Sequence, residues 1–218
     1  YQELGMVFKQ GYGLTEVGPN CFVLHESDAV RRAGSGGFPV LHLDTRIVDR
    51  DGCEVTSGEV GELQLRGPTV CAGYWQNEDA TAAAISEDGW FNTGDLFRQD
   101  ADGYHHVVGR LKEMYISGGE NVYPAEVERV LYQFPNVVEA AVVGVPDAKW
   151  GEVGCAFVAL APGANGDAGS EAILAHCRQR LARYKVPKEL RILDELPKGS
   201  SGKILKRTLQ DQAGSANA

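Results

Sequence analysis

No two cysteines in this sequence stand at Cys-Xaa-Xaa-Cys spacing: Cys21, Cys53, Cys71, Cys155 and Cys177 are dispersed and odd in number. With no matched histidine pair beside them, this speaks against a zinc site and fits a reducing compartment. No apolar run approaches the roughly 20 residues that span a bilayer, and Tyr1-Gln-Glu-Leu-Gly5 lacks the basic start and apolar stretch of a secretion signal. The expectation is a cytoplasmic chain with no transmembrane segment. Positive charge is also in short supply: 21 Lys and Arg against 30 Asp and Glu leave a net charge of -9. Broad binding to nucleic acid or anionic membrane needs accumulated Lys and Arg, so neither is expected, although a local phosphate site is compatible with an acidic chain.

What is present is 43% apolar residues in a chain of 218, enough for one large or two modest packed domains. From Arg46 to Arg110 short strand patterns alternate with turn signals, as in Thr45-Arg-Ile-Val-Asp49, Asp51-Gly52 and Gly61-Glu-Leu-Gln-Leu-Arg66. Alternation places Leu63 and Leu65 on one face, and Asp88-Gly89 and Asp102-Gly103 mark further turns. This half reads as all-β, a compact antiparallel sheet or small barrel. After Gly109 the character changes. Pro124 opens a helix carrying Val127, Val130, Leu131 and Phe134, which Pro135 stops; Val137 to Val145 and Cys155 to Leu160 read as buried strands. Gly163 to Gly169 reads as a loop, and Ser170 as the cap of a helix with Ile173, Leu174, Cys177 and Leu181 inward. Leu190 to Leu193 is a further strand. A terminal helix starts near Lys203 with Ile204, Leu205 and Leu209 inward, before a frayed Ala213-Gly-Ser-Ala-Asn-Ala tail. The predicted class is α+β: a β-rich antiparallel, barrel-like subdomain over 1–110, then a small α+β domain over 111–218. A short junction of this kind can act as a hinge.

Five short runs carry the chemistry. In Gln10-Gly-Tyr-Gly-Leu-Thr-Glu16, glycines let backbone approach a ligand, the Thr15 hydroxyl can bind phosphate and the Glu16 carboxylate can hold Mg²⁺, although a plain glycine-rich turn would look the same. In Thr93-Gly-Asp95 the carboxylate can accept from two adjacent hydroxyls such as those of ribose, or simply close a turn. Gly109-Arg-Leu-Lys112 offers Arg110 and Lys112, which surface solvation would also explain. Gly118-Gly-Glu-Asn121 is a tight loop that could admit a narrow ligand, join two strands, or do both. In Pro197-Lys-Gly-Ser-Ser-Gly-Lys203 a mobile lysine could reach developing phosphate charge, or be one of several solvated cations beside Lys198, Lys206 and Arg207. Histidines form no spaced cluster, and His105 and His106 on one strand read as structural.

Taken together and in this order, the five runs resemble one family, the AMP-forming adenylating enzymes that include acyl-CoA synthetases. The resemblance covers about residues 5 to 210. The upstream phosphate loop of such enzymes, of the kind Ser-Gly-Thr-Thr-Gly-Xaa-Pro-Lys-Gly, is absent, so the chain looks like the C-terminal part of one. The resemblance implies that Tyr12 lies against adenine beside Gly13, that Thr15 contacts phosphate and that Glu16 serves magnesium. It places Asp95 on ribose, Arg110 on the nucleotide, and Lys112 at the hinge between a large and a small domain. Gly118 and Gly119 would border the pantetheine tunnel, Trp150 would be a contact for CoA, and Lys203 would be the adenylation lysine. The substrates would be ATP, a carboxylic acid and CoA, with Mg²⁺ as cofactor, and the partner would be the missing N-terminal part of the same enzyme. A switch by acetylation of exposed Lys203 is a further expectation. Ile116 to Glu126 and Leu181 to Lys188 look most like bacterial fatty-acyl-CoA synthetases. An aryl or phenylpropenoate ligase, and a non-catalytic nucleotide- or CoA-binding piece, stand as alternatives.

Overall fold

The computed structural model describes residues 4–6, 9–163 and 169–215. Contacts divide the chain into two compact units between Leu111 and Lys112.

In the first unit β1 (Gln10–Leu14), β2 (Gly18–Leu24) and β3 (Phe38–Pro39) form an antiparallel sheet in that order. A second antiparallel sheet follows as a meander of β4 (Asp44–Val48), β5 (Val60–Arg66), β6 (Phe91–Gln99) and β7 (His105–Arg110). The alternation in β5 is as expected, with Leu63 and Leu65 fully buried. They share one core with Phe22 of the first sheet and Phe97 of β6, the sheets burying their apolar faces together. Among the described residues neither sheet closes on itself, so this antiparallel unit shows no closed barrel. Two features differ from the sequence reading. The glycine-rich run at Gln10 is a strand and not a free turn. The segment between β5 and β6 holds a short helix, α1 (Glu78–Ala84), within the stretch read as all-β. Asn77 caps it, its Oδ1 accepting from the Ala80 amide at 3.1 Å, and Glu78 and Asp79 occupy the first turn. No residue of α1 is buried, so it carries no apolar stripe by which periodicity could reveal it.

The second unit begins with a hairpin of β8 (Tyr115–Ser117) and β9 (Glu120–Val122), followed by α2 (Pro124–Leu131). Then come β10 (Val137–Asp147), β11 (Gly151–Leu160), α3 (Ser170–Arg180), β12 (Glu189–Leu193) and α4 (Lys206–Ser215). β10 and β11 pair antiparallel over their length, while β12 runs parallel to β11, which requires the α3 crossover between them. Alternation along β10 and β11 serves two cores. Ala140, Val142, Ala156 and Val158 meet α2 and α3 on one face; Ala141, Val143, Cys155 and Phe157 meet Leu196, Leu209 and Ala213 on the other. A sheet covered on both faces explains why both strands read as continuous apolar runs.

The helix limits also need correction. Gly169, with no side chain to offer, stands at the cap, and Ser170 is the first helical residue of α3. α4 starts at Lys206 because residues 197–205 are held as a tight hairpin: the Leu205 amide donates to the Pro197 carbonyl at 2.8 Å. Leu205 is consequently exposed, and Ala213, assigned to a frayed tail, is buried under β10. Most of the loop expected at Gly163 to Gly169, the end of the tail and Tyr1 to Glu3 lie outside the described residues. Among the described residues no helix is long and apolar enough to cross a membrane.

Candidate functional site

Three of the five runs converge in the first unit. Asp95 lies on β6 directly opposite Arg110 of β7, and its Oδ1 is 3.2 Å from the Arg110 Nε. Its Oδ2 accepts from the Tyr12 hydroxyl at 2.7 Å, across 83 residues of sequence. Tyr12 is fixed edge-on against Phe97 and Phe22, at ring distances of 4.9 and 5.9 Å. Burial, reinforced by the Asp95 carboxylate, pushes the Tyr12 phenol well above its ordinary pKa, so it remains a proton donor at neutral pH. Asp95 is only 9% exposed. It keeps lone pairs beyond the two contacts made by Tyr12 and Arg110.

The support beneath Asp95 was not legible in the sequence. The Thr93 hydroxyl donates to the Leu63 carbonyl at 2.7 Å and accepts from the Asp95 amide at 3.1 Å, while the Gly94 amide donates to Glu62 Oε1 at 2.9 Å. Register shifts on both sides of β6 mark irregular ladders, which re-aim side chains. Glu62 and Thr93 thus hold this irregular part of β6, whereas the Asp95 carboxylate meets Tyr12 and Arg110.

Thr15 and Glu16 lie in the turn between β1 and β2, with Thr15 exposed. Glu16 Oε1 accepts from the Tyr74 hydroxyl at 2.9 Å, and its carbonyl accepts from the Cys71 amide at 2.7 Å. Burial and Glu16 raise the Tyr74 phenol, so it donates and does not compete as an anion. Tyr74 is a site residue that sequence reasoning missed; an aromatic in a loop 58 residues away carries no local signal. Among the described residues no three His, Cys, Asp or Glu side chains group to hold a metal, so Glu16 would be one ligand and not a complete set.

Gly13 has a role within the hairpin itself. A Cβ there would lie 2.2 Å from the Pro19 carbonyl oxygen and 2.8 Å from that of Gly18. Both are backbone atoms of the paired strand, so they cannot rotate away. Gly13→Ala is expected to destabilise the first unit by about 3 kcal/mol, at the upper end of overpacking costs. Thermal unfolding of this chain by calorimetry checks it, and an unchanged melt would show that the hairpin relaxes.

In the second unit Gly118 and Gly119 are the two-residue turn joining β8 to β9, with φ of +62° and +90°. Positive φ at both positions is what tight primed hairpin turns require. A Cβ on Gly118 would also lie 2.9 Å from the Trp150 ring, and the Gly118 amide donates to the Trp150 carbonyl at 2.9 Å. Trp150 is 47% exposed, with the Lys149 ammonium 4.6 Å from its ring centre. Asp147 organises this corner by accepting from Lys188 and from the Lys149 and Trp150 amides, which hold its carboxyl down to about 2. The hairpin turn at Gly118 and the tryptophan at Trp150, far apart in sequence, are therefore one feature.

Lys203 is exposed on the 197–205 hairpin, where its carbonyl accepts from the Gly199 amide at 2.9 Å. Its neighbours are differently placed. Lys198 pairs with Glu139 and Glu195, Lys206 with Glu113 and Glu128, Lys185 with Glu126 and Lys188 with Asp147. Among the described residues of this unit, Lys112 and Lys203 are the lysines whose ammonium groups have no anionic or aromatic partner.

His106 contacts Asp100 at 3.0 Å, and burial lowers the pKa of His105. Burial pushes the Cys155 thiol up to about 11 and raises Cys21 and Cys177, so none of these is a ready thiolate nucleophile.

Sequence models of two parts of one enzyme family match the chain: the AMP-binding enzyme over residues 1–75 and the AMP-binding enzyme C-terminal domain over residues 126–203. The chain belongs to this AMP-binding enzyme family. It is 49% identical to a feruloyl-CoA synthase of Amycolatopsis over 98% of its length and 44% identical to a long-chain-fatty-acid–CoA ligase of Salmonella typhimurium over 96%. It spans 43% and 36% of those proteins respectively. The o-succinylbenzoate CoA synthetase of Bacillus subtilis, bound to its acyl-adenylate intermediate, superposes with a TM-score of 0.87 at 38% identity. That match covers 96% of this chain and 42% of the synthetase, which has also been solved with ATP and magnesium.

Proposed function

We propose that the complete enzyme containing this chain is an AMP-forming acid–thiol ligase, which joins a carboxylic acid to CoA through an acyl-adenylate. The observation that carries this reading is the convergence of Tyr12 and Arg110 on the buried Asp95 carboxylate, which brings together groups from three separate runs. In this reading residues 1–110 complete the AMP-binding domain and residues 111–218 form the mobile C-terminal domain, with Lys112 at the pivot.

Asp95 would accept from the ribose hydroxyls, with Tyr12 against the adenine and Arg110 beside the nucleotide. Thr15 would donate to phosphate. Glu16, with Oε1 on Tyr74 and Oε2 without a partner among the described residues, fits one ligand position of Mg²⁺. Bound there, the ion would supply charge neutralisation to the phosphates. In the first step a carboxylate oxygen bonds to the α-phosphorus and the bond to pyrophosphate breaks. Lys203 places an unpaired ammonium against the two anions that this step brings together. In the second step the CoA sulfur bonds to the acyl carbon and AMP leaves. AMP is a good leaving group, which is consistent with a site that needs no side-chain nucleophile. Turning at Lys112 would exchange Lys203 for the Gly118-Gly119 turn, whose bare backbone leaves room for a pantetheine arm next to Trp150.

The acid is the finer part of this reading. The feruloyl relative supports an aryl acid and the Salmonella relative a fatty acid, so the two classes, the fatty acid being the expectation from sequence, belong in one panel. The complete enzyme is expected to exchange pyrophosphate into ATP only with an acid present. The 218 residues alone, without the phosphate loop, are expected to exchange none and to act at most as a binding piece. Exchange by this chain alone would contradict the division of labour proposed here.

A further inference from the structure

A lysine in the first turn of a helix is at the wrong end of the dipole, so Lys206 at the start of α4 needs another explanation. Its ammonium lies 2.5 Å from Glu113 Oε2 and 2.8 Å from Glu128 Oε1. Glu128 Oε1 in turn accepts from the Val142 amide at 2.9 Å, on the β10 edge. All three side chains are mostly covered, with exposures of 24%, 29% and 16%. Burial lowers the lysine pKa, but Glu128 and Glu113 outweigh it and the net shift is upward, so the cation is retained.

The position of this cluster matters more than its energy. Lys206 follows immediately after the 197–205 hairpin, and Glu113 immediately follows Lys112. The hairpin has two feet. One is held by Lys198 on Glu139 and Glu195, with the Leu196 amide donating to Glu139 at 3.0 Å. The other is held by Lys206, and this foot is the one tied to the segment next to Lys112. Between them the Lys203 side chain is exposed and unpaired.

We infer that Lys206, Glu113 and Glu128 form a positioning cluster, which sets the Lys203 hairpin against the segment that follows the pivot and so fixes where the adenylating ammonium is delivered. This rests on the adenylation role proposed for Lys203. The cluster touches no reacting atom. It acts through placement, and a displacement of about 1 Å in a reacting group can cost about 10²-fold in rate.

The test measures the two half-reactions separately in the complete enzyme. Lys206→Met is expected to lower kcat for pyrophosphate exchange by about 10- to 100-fold with the KM for ATP nearly unchanged. Thioester formation from preformed acyl-adenylate should be nearly unaffected, and Lys206→Arg should restore most of the exchange. Glu113→Gln leaves Lys206 paired with Glu128 and so guards against simple misfolding; it should reproduce the selective loss, and the double variant should be no worse than Lys206→Met. Exchange at the wild-type rate in either single variant overturns the inference. So does an equal loss in both half-reactions, which would make the cluster merely structural. Lys203→Ala in the same assay separates the two ideas: if it exchanges normally, the adenylation role itself has failed. If it is inactive while Lys206→Met is normal, the positioning inference alone has failed.

Discussion

Lys203→Ala in the complete enzyme is expected to reduce carboxylate-dependent ATP–pyrophosphate exchange by about 10²- to 10³-fold, the usual cost of deleting one preorganised charge-stabilising donor. Stability should be untouched, because Lys203 is exposed and makes no contact among the described residues that its loss would break. That separates it from its neighbours. Removing Lys198 or Lys206 would strand carboxylates that each lysine now pairs. Thioester formation from preformed acyl-adenylate should survive in Lys203→Ala, since that step follows loss of pyrophosphate. Exchange at the wild-type rate in this variant would remove the lysine from the chemistry.

Asp95→Ala carries the second large effect, and it acts twice. Loss of two hydrogen bonds to a charged acceptor, at about 1.5–3 kcal/mol each, is expected to lower kcat/KM for ATP by about 10³-fold. The discrimination between ATP and 2′-deoxy-ATP should shrink with it, a change that general destabilisation does not produce. Separately, the Tyr12 hydroxyl loses its acceptor in a half-buried setting, which is expected to destabilise the first unit by about 1–3 kcal/mol. Tyr12→Phe should relieve much of that second penalty while leaving the loss of ATP use in place. An Asp95→Ala enzyme with unchanged ATP kinetics and unchanged sugar discrimination would refute the ribose role.

The runs of residues were legible because each obeys a local rule. Gly118 and Gly119 take the positive φ that only glycine adopts easily, and Leu63 and Leu65 alternate into a core. Val127, Val130 and Leu131 repeat at helical spacing after a proline at the first turn. Where no local rule operated, the reading failed. The α1 helix buries nothing, so periodicity was silent; α4 was begun three residues early because a backbone bond from Leu205 to Pro197 closes a hairpin there that helical spacing does not announce. The close approach of Pro19 and Gly18 backbone to Gly13 likewise had no local signal.

The sequence by itself determined the family, the order of its five runs and the chemical type of each group, since hydroxyls, carboxylates, ammonium groups and glycines keep their chemistry in any fold. Only the tertiary structure decided which of them meet. Pairing of β6 with β7 set Arg110 opposite Asp95, packing of β1 brought Tyr12 to the same carboxylate, and β8 and β11 put Trp150 over Gly118. It also separated the lysines into paired and unpaired. That distinction depends on which carboxylates come within about 4 Å in space, and distance along the chain carries no information about it.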